Sequence, residues 1–165
     1  MNAFWSYFWP PFCAGLVVAI VAGAIAFRSR KRRIVAIAAG ALVAIGLAAL
    51  WHGPLGGADN FASTVEQSVR ASLVYNEIPE VSGHLHRGPL TRRVLLTGPA
   101  DDFQRSELVR IIGDLSGVES TSWSGGTAIP LIVEGGIAAA LGFLLGLLVA
   151  YLRELRRRYN ANWNW

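Results

Sequence analysis

One cysteine, Cys13, is all that 165 residues contain. A single thiol cannot close an intramolecular disulfide, so cysteine usage does not report the redox compartment. Cys13 lies within an apolar run, where a small buried hydrophobe is its expected role. Catalytic signatures are missing too. There is no glycine-rich phosphate loop, no nucleophile elbow and no zinc-protease motif. Scattered Ser, His and Asp residues do not define a triad without geometry. His84 and His86 share one face of an expected strand, but no third metal ligand stands near them in the sequence. The pattern assigns no catalytic, cofactor-binding or metal-binding residue, and it points away from an enzyme.

Charge is also missing from long stretches. Hydrophobic residues make up 53% of the chain, and the 15 Lys and Arg fall unevenly. Five lie in residues 28–33 (RSRKRR), four in 153–158 (RELRRR), and six between 70 and 110. Basic blocks beside apolar runs are membrane flanks or solvated charge, so the net charge of +4 does not indicate a nucleic-acid partner. Segment 52–127 carries six arginines and nine acids, a net charge of −3 with histidine neutral. The basic excess belongs to the flanks.

What the chain does have is three uncharged or nearly uncharged runs: residues 12–27 (FCAGLVVAIVAGAIAF), 34–51 (IVAIAAGALVAIGLAALW) and 128–152 (AIPLIVEGGIAAALGFLLGLLVAYL). A bilayer core takes about 20 apolar residues, and all three runs fit within tolerance once FWSYFWPP is added to the first. The first run is not patterned as a signal peptide, because its basic cluster follows it and no clear cleavage site does. By the positive-inside rule both basic clusters face the cytoplasm. The expected division is two transmembrane helices with a cytoplasmic loop 28–33 in residues 1–51 and a periplasmic domain in 52–127. A third helix in 128–152 and a cytoplasmic basic and aromatic tail in 153–165 complete it. The N-terminus is then periplasmic.

Small residues recur every fourth position in each run: Gly15, Ala19 and Gly23; Ala36, Gly40, Ala44 and Ala48; Ala138, Gly142, Gly146 and Ala150. Such stripes let helix backbones approach closely in lipid. They predict a packed bundle or docking against another subunit or a second copy. Glu134 shares the register of the third stripe. A carboxylate in a membrane helix faces protein or water. With no second intramembrane acid or base, a hydrogen bond at a packing interface is favoured over a proton relay. Glu134, Ala138, Gly142, Gly146 and Ala150 are therefore the candidate helix-packing face. Phe4, Trp5, Tyr7, Phe8 and Trp9 at one end, with Tyr159, Trp163 and Trp165 at the other, fit interfacial aromatic belts. The terminal NANWNW could also serve as a docking peptide.

The middle segment has a different grammar. Ser63-Thr-Val-Glu66 has capping-box spacing ahead of Val65, Val69 and Leu73 on one helical face. Pro79 ends that helix. Residues 81–87 alternate as a strand, Gly88-Pro89 turns, and 92–97 (RRVLLT) reads as a second strand. Asp101 and Gln104 are spaced as a helix cap, and Leu108, Ile111, Ile112 and Leu115 follow as a half-buried stripe. Gly117 opens a last short strand over 118–123. The order is α-β-β-α-β, so the fold class is an α-helical membrane protein with three transmembrane helices and a small α+β soluble domain.

FASTVEQSVRASL, the strand ending Leu95-Leu-Thr-Gly98, the helix after it and Gly117-Val118 resemble a BON domain over residues 61–123. That resemblance implies a small bacterial envelope module that binds phospholipid or mediates envelope attachment, here at the inner membrane. Pro99 after Gly98 and the GPLTRR turn depart from the pattern, which weakens any transfer of ligand. Two helices cover one face of a three-stranded sheet and leave the other free. HGPLGGADN is a nine-residue tether reaching about 15–18 Å, which keeps the domain near the membrane surface. Arg87, Arg92 and Arg93 around the hairpin are the candidate lipid or anion contacts. The leading expectation is a non-catalytic inner-membrane protein whose domain binds membrane lipid or an envelope partner. The alternative is an accessory or assembly subunit of a larger membrane complex, acting as a scaffold through its small-residue helices and its domain.

Overall fold

The computed structural model describes residues 2–162; Trp163, Trp165 and the end of the NANWNW stretch lie outside the described residues. The elements run α1 (Ala3–Ala26), a 3-10 turn (Arg30–Arg32), α2 (Arg33–His52), α3 (Gly57–Tyr75), β1 (Ser82–Arg87), β2 (Leu90–Thr97), α4 (Asp102–Gly113), β3 (Ser120–Ser122) and α5 (Leu131–Asn162). Among the described residues three helices are long and apolar enough to cross a membrane. They are compatible with a membrane protein that carries a small three-stranded α+β unit. The described residues form two compact units, 2–7 with Gly56–Glu134 and Phe8–Leu55 with 135–162.

Within the helical unit the small-residue stripes are the contacts. A Cβ added at Gly15 would overlap the Ala139 carbonyl, and one at Gly142 would overlap the Phe12 carbonyl. At Gly146 it would overlap the Leu16 carbonyl and lie 2.7 Å from the Ala19 Cβ; at Gly23 it would lie 2.5 Å from the Ala150 Cβ. Backbone meets backbone because no side chain intervenes, which is how dispersion and Cα–H···O contacts replace the hydrophobic effect in lipid. The contacts advance together along α1 and α5, so these helices run in the same direction. Along α2 they run in reverse, for Gly40 meets Ala22, and Ala44 joins Ala19 and Phe143 in a buried cluster. Ala44 and Ala48 are buried and Ala36 is half-buried.

The third stripe is sharpened by one residue. Gly142, Gly146 and Ala150 are buried, whereas Ala138 is half-buried and its neighbour Ala139 takes the close contact. A four-residue repeat drifts on a helix of 3.6 residues per turn, so the seam passes from one residue to its neighbour. Cys13, expected to be buried, is exposed on α1. Both basic clusters lie at one end of this unit: the Arg158 guanidinium donates to the Phe27 carbonyl at 3.1 Å, satisfying an acceptor at the C-terminal end of α1.

The α+β unit has sheet order β1-β2-β3, with β1 antiparallel to β2 and β2 parallel to β3. The parallel step is possible because α4 carries the chain back across the sheet. Alternation puts Val81, Leu85, Val94 and Leu96 on the helix-covered face, all buried. Phe61, Val65, Val69 and Leu73 of α3 and Leu108 and Ile112 of α4 meet them in the core. The sheet's open face is mostly polar, carrying Ser82, His84, His86, Arg93, Thr97, Ser120 and Ser122 beside the single apolar Leu95 by the same alternation. Two glycines close the fold. Gly98 has φ +135° and an added Cβ there would lie 2.7 Å from the Glu80 carbonyl oxygen; Gly117 has φ +99° and sits against Val65 and Phe61.

Several boundaries differ from expectation. α1 begins at Ala3, capped by the Asn2 side chain accepting from the Phe4 N–H at 3.0 Å, and it continues through Pro10 and Pro11. The third span starts at Leu131 rather than 128 and runs on through the basic residues, so most of the expected tail is helix. Ser63 is no N-cap: α3 starts at Gly57 behind the left-handed Gly56, and the Ser63 hydroxyl donates to the Asn60 carbonyl. The connection from α2 to α3 is therefore residues 53–56, not nine residues. α3 ends at Tyr75, before Pro79, and the hairpin turn is only Gly88-Pro89 because Arg87 pairs with Leu90. The Asp101 cap is as expected: Asp101 accepts from the Gln104 N–H at 2.7 Å, and the Gln104 side chain accepts from the Asp101 N–H at 3.1 Å.

Candidate functional site

The three arginines expected to gather around the hairpin do not converge. Arg87 is exposed and donates to Glu66 at 2.8 Å. Arg92 shares the parity of Val94 and Leu96, so it points to the covered side of the sheet. There its Nε donates to Glu134 at 2.6 Å, Glu119 lies 3.9 Å from its guanidinium, and the Phe4 ring lies beneath it at 5.4 Å. Arg93 has the opposite parity. Its guanidinium donates twice to the Ser122 hydroxyl, at 3.1 and 2.8 Å, and once to the Ser124 carbonyl at 3.1 Å. Each arginine thus has an internal partner of its own, and Arg92 and Arg93 lie on opposite faces of the sheet.

Glu134 is likewise resolved into a structural partner. It belongs to the α+β unit, not to the small-residue seam of the helical unit. Its side chain is 14% exposed and that of Arg92 is 18% exposed. In a pair so shielded desolvation offsets the mutual attraction, and each charge would be costly without the other. The surrounding core is completed by helix ends that the sequence assigns to membrane runs. Tyr7 is 2% exposed, with its ring 5.6 Å from that of Phe61 and its hydroxyl donating to the Leu131 carbonyl at 3.4 Å. Tyr7 is thus a core residue of the α+β unit, not part of an interfacial belt. Trp5 and Trp9 are half exposed.

One concavity of the α+β unit carries no sequence motif. It is a cleft of about 500 Å³ between α3 and β1, walled by residues such as Gln67, Arg70, Val74, Pro79 and Gly83. β1 is an outer strand of the sheet. Its Leu85 N–H is turned away from β2 and donates to Glu66 at 3.1 Å. Glu66 therefore occupies one edge donor and also holds Arg87 beside it. Gly83, two residues earlier, presents its edge toward the same cleft by strand periodicity. The only sequence signal for this site is negative. Ser63, Glu66, Gln67 and Arg70 form a polar helix face, and such faces are usually just solvated.

The two histidines stay on the open sheet face, where His86 Nδ1 lies 3.1 Å from the Pro89 carbonyl. Among the described residues no group of three or more His, Cys, Asp or Glu is arranged to hold a metal ion. Asp101, one of the Asp pair before α4, is engaged in helix capping. Comparison with known proteins returns no family model, no curated protein and no solved structure that matches the chain.

Proposed function

We propose that the protein is a non-catalytic inner-membrane protein whose periplasmic, BON-like domain binds an envelope protein partner along the cleft between α3 and the β1 edge. The observation that carries this reading is the cleft itself, which combines a strand edge with a mixed polar and apolar helix wall. An extended segment laid beside an edge strand gains main-chain hydrogen bonds, and flanking pockets supply specificity. Two further observations favour a protein over a lipid headgroup at this domain. The open sheet face is mostly polar, and Arg87, Arg92 and Arg93 are each engaged by groups of the unit.

The orientation is supported by both basic clusters sharing one end of the helical unit, which the positive-inside rule assigns to the cytoplasm. The chain between α2 and α3, residues 53–56, extends at most about 14 Å, which favours a partner at or near the membrane. The small-residue stripes are taken up in contacts within the chain, so they lend no support to the accessory-subunit alternative.

A photo-crosslinking amino acid at Gln67, in the cleft, tests the reading in living cells against the same group at exposed Asp102 on α4. The expected result is one discrete protein adduct from position 67, absent from position 102 and lost when Arg70→Glu is added. Lipid adducts alone, or the same adducts from both positions, would contradict it.

A further inference from the structure

The basic end of the helical unit contains a second concavity that the proposed function does not use. α1, the turn after it and α5 enclose a cleft of about 310 Å³. One half is charged, with Arg28, Arg153 and Arg157; the other half is apolar, with Ile20, Ala24 and the Ala150 methyl. No side chain of α2 lines it. Glu154 sits at its foot, 15% exposed, and holds Arg157 at 3.3 Å and Arg158 at 3.0 Å. Among the described residues neither Arg28 nor Arg153 has an ion-pair partner. Three guanidinium groups against one carboxylate leave the charged half with an excess of two positive charges.

This arrangement differs from a simple basic flank. A flank needs positive charge near the headgroups and is indifferent to its placement. Here arginines from two separate sequence clusters meet over a gap between parallel helices, and the gap continues into apolar wall. Guanidinium forks match phosphate oxygens, and the apolar half matches the start of an acyl chain. A soluble phosphate or a nucleic acid would use the first half and gain nothing from the second. Basic pockets between membrane helices are suited to anionic headgroups for this reason.

We infer that the cleft formed by Arg28, Arg153, Arg157, Ile20 and Ala24 is a binding site for an anionic phospholipid, with its phosphate on the arginines and a chain along α1. The site is independent of what the α+β unit binds.

Native mass spectrometry of the full chain in detergent tests it, with phosphatidylglycerol and phosphatidylcholine as probes. The wild-type chain is expected to retain phosphatidylglycerol selectively. Arg28→Gln/Arg153→Gln/Arg157→Gln should lower that retention roughly tenfold or more, while Lys31→Gln/Arg32→Gln/Arg156→Gln removes the same charge and leaves most of it. Ala24→Trp fills the apolar half without touching a charge and should also lower retention, which keeps the test informative if the first triple variant does not fold. Equal losses from the two triple variants, equal retention of the two lipids, or no effect of Ala24→Trp would overturn the inference. Displacement of the lipid by millimolar inorganic phosphate would also overturn it, identifying a soluble-anion site.

Discussion

Replacing Arg92 by Met should damage the α+β unit more than removing both members of its ion pair. Arg92 and Glu134 approach to 2.6 Å with side chains 18% and 14% exposed, and Glu119 stands 3.9 Å away. Arg92→Met keeps much of the side-chain volume over Phe4 but strands Glu134 beside a second carboxylate. Exposed pairs contribute at most about 1 kcal/mol, and breaking a fully buried pair costs about 3–5 kcal/mol. This partly shielded pair falls between, at about 2 kcal/mol. A unit of this size has a urea dependence of about 1 kcal/mol per molar, so its unfolding midpoint should fall by about 2 M. Pulse proteolysis of the full chain in mild detergent, scored by cuts within residues 56–134, measures it. Arg92→Met/Glu134→Gln removes the stranded charge and should recover at least half of the loss. An unchanged midpoint for Arg92→Met, or a double variant as unstable as the summed singles, would refute the argument. Either result would reopen Arg92 as a surface lipid contact.

Other substitutions probe other links. Gly142→Leu should destabilise the helical unit by about 1–3 kcal/mol through overpacking against the Phe12 backbone, whereas Gly46→Leu, with nothing within 4 Å, should not; detergent-denaturation curves compare them. Ile112→Ala, at a fully buried α4 position, should cost about 2–5 kcal/mol in the same proteolysis assay. Asp101→Ala removes the capping box of α4 and should cost about 1 kcal/mol, with Asp101→Asn recovering most of it.

The membrane runs were legible because their signals are local. Apolar length, basic flanks and four-residue spacing of Gly and Ala each read directly from consecutive residues, and Gly142, Gly146 and Ala150 lie in close contact with α1. The α-β-β-α-β order was legible for the same reason, through Val65, Val69 and Leu73 on α3 and the Asp101 cap on α4. The errors arise where a local pattern meets a distant partner. Ser63 and Glu66 have capping spacing, but Glu66 is taken by Leu85 and Arg87 across the cleft, and the helix extends past them to Gly57. Arg92 and Glu134 are 42 residues apart, and no spacing rule pairs them. Tyr7 sits in an aromatic run that any membrane reading assigns to an interface, yet Phe61 and Leu131 complete its burial. Three adjacent arginines on a hairpin look like one patch, but strand alternation sends Arg92 and Arg93 to opposite faces.

The claim on which the rest depends is that the α+β unit and the basic clusters lie on opposite sides of a membrane. Substituted-cysteine labelling in spheroplasts tests it most directly, in a Cys13→Ala background, with Ser68→Cys on α3 and Asn160→Cys near the end of α5; both positions are exposed. A membrane-impermeant maleimide is predicted to label Ser68→Cys in intact spheroplasts and Asn160→Cys only after lysis. Labelling of Asn160→Cys before lysis, with Ser68→Cys protected, would contradict the account.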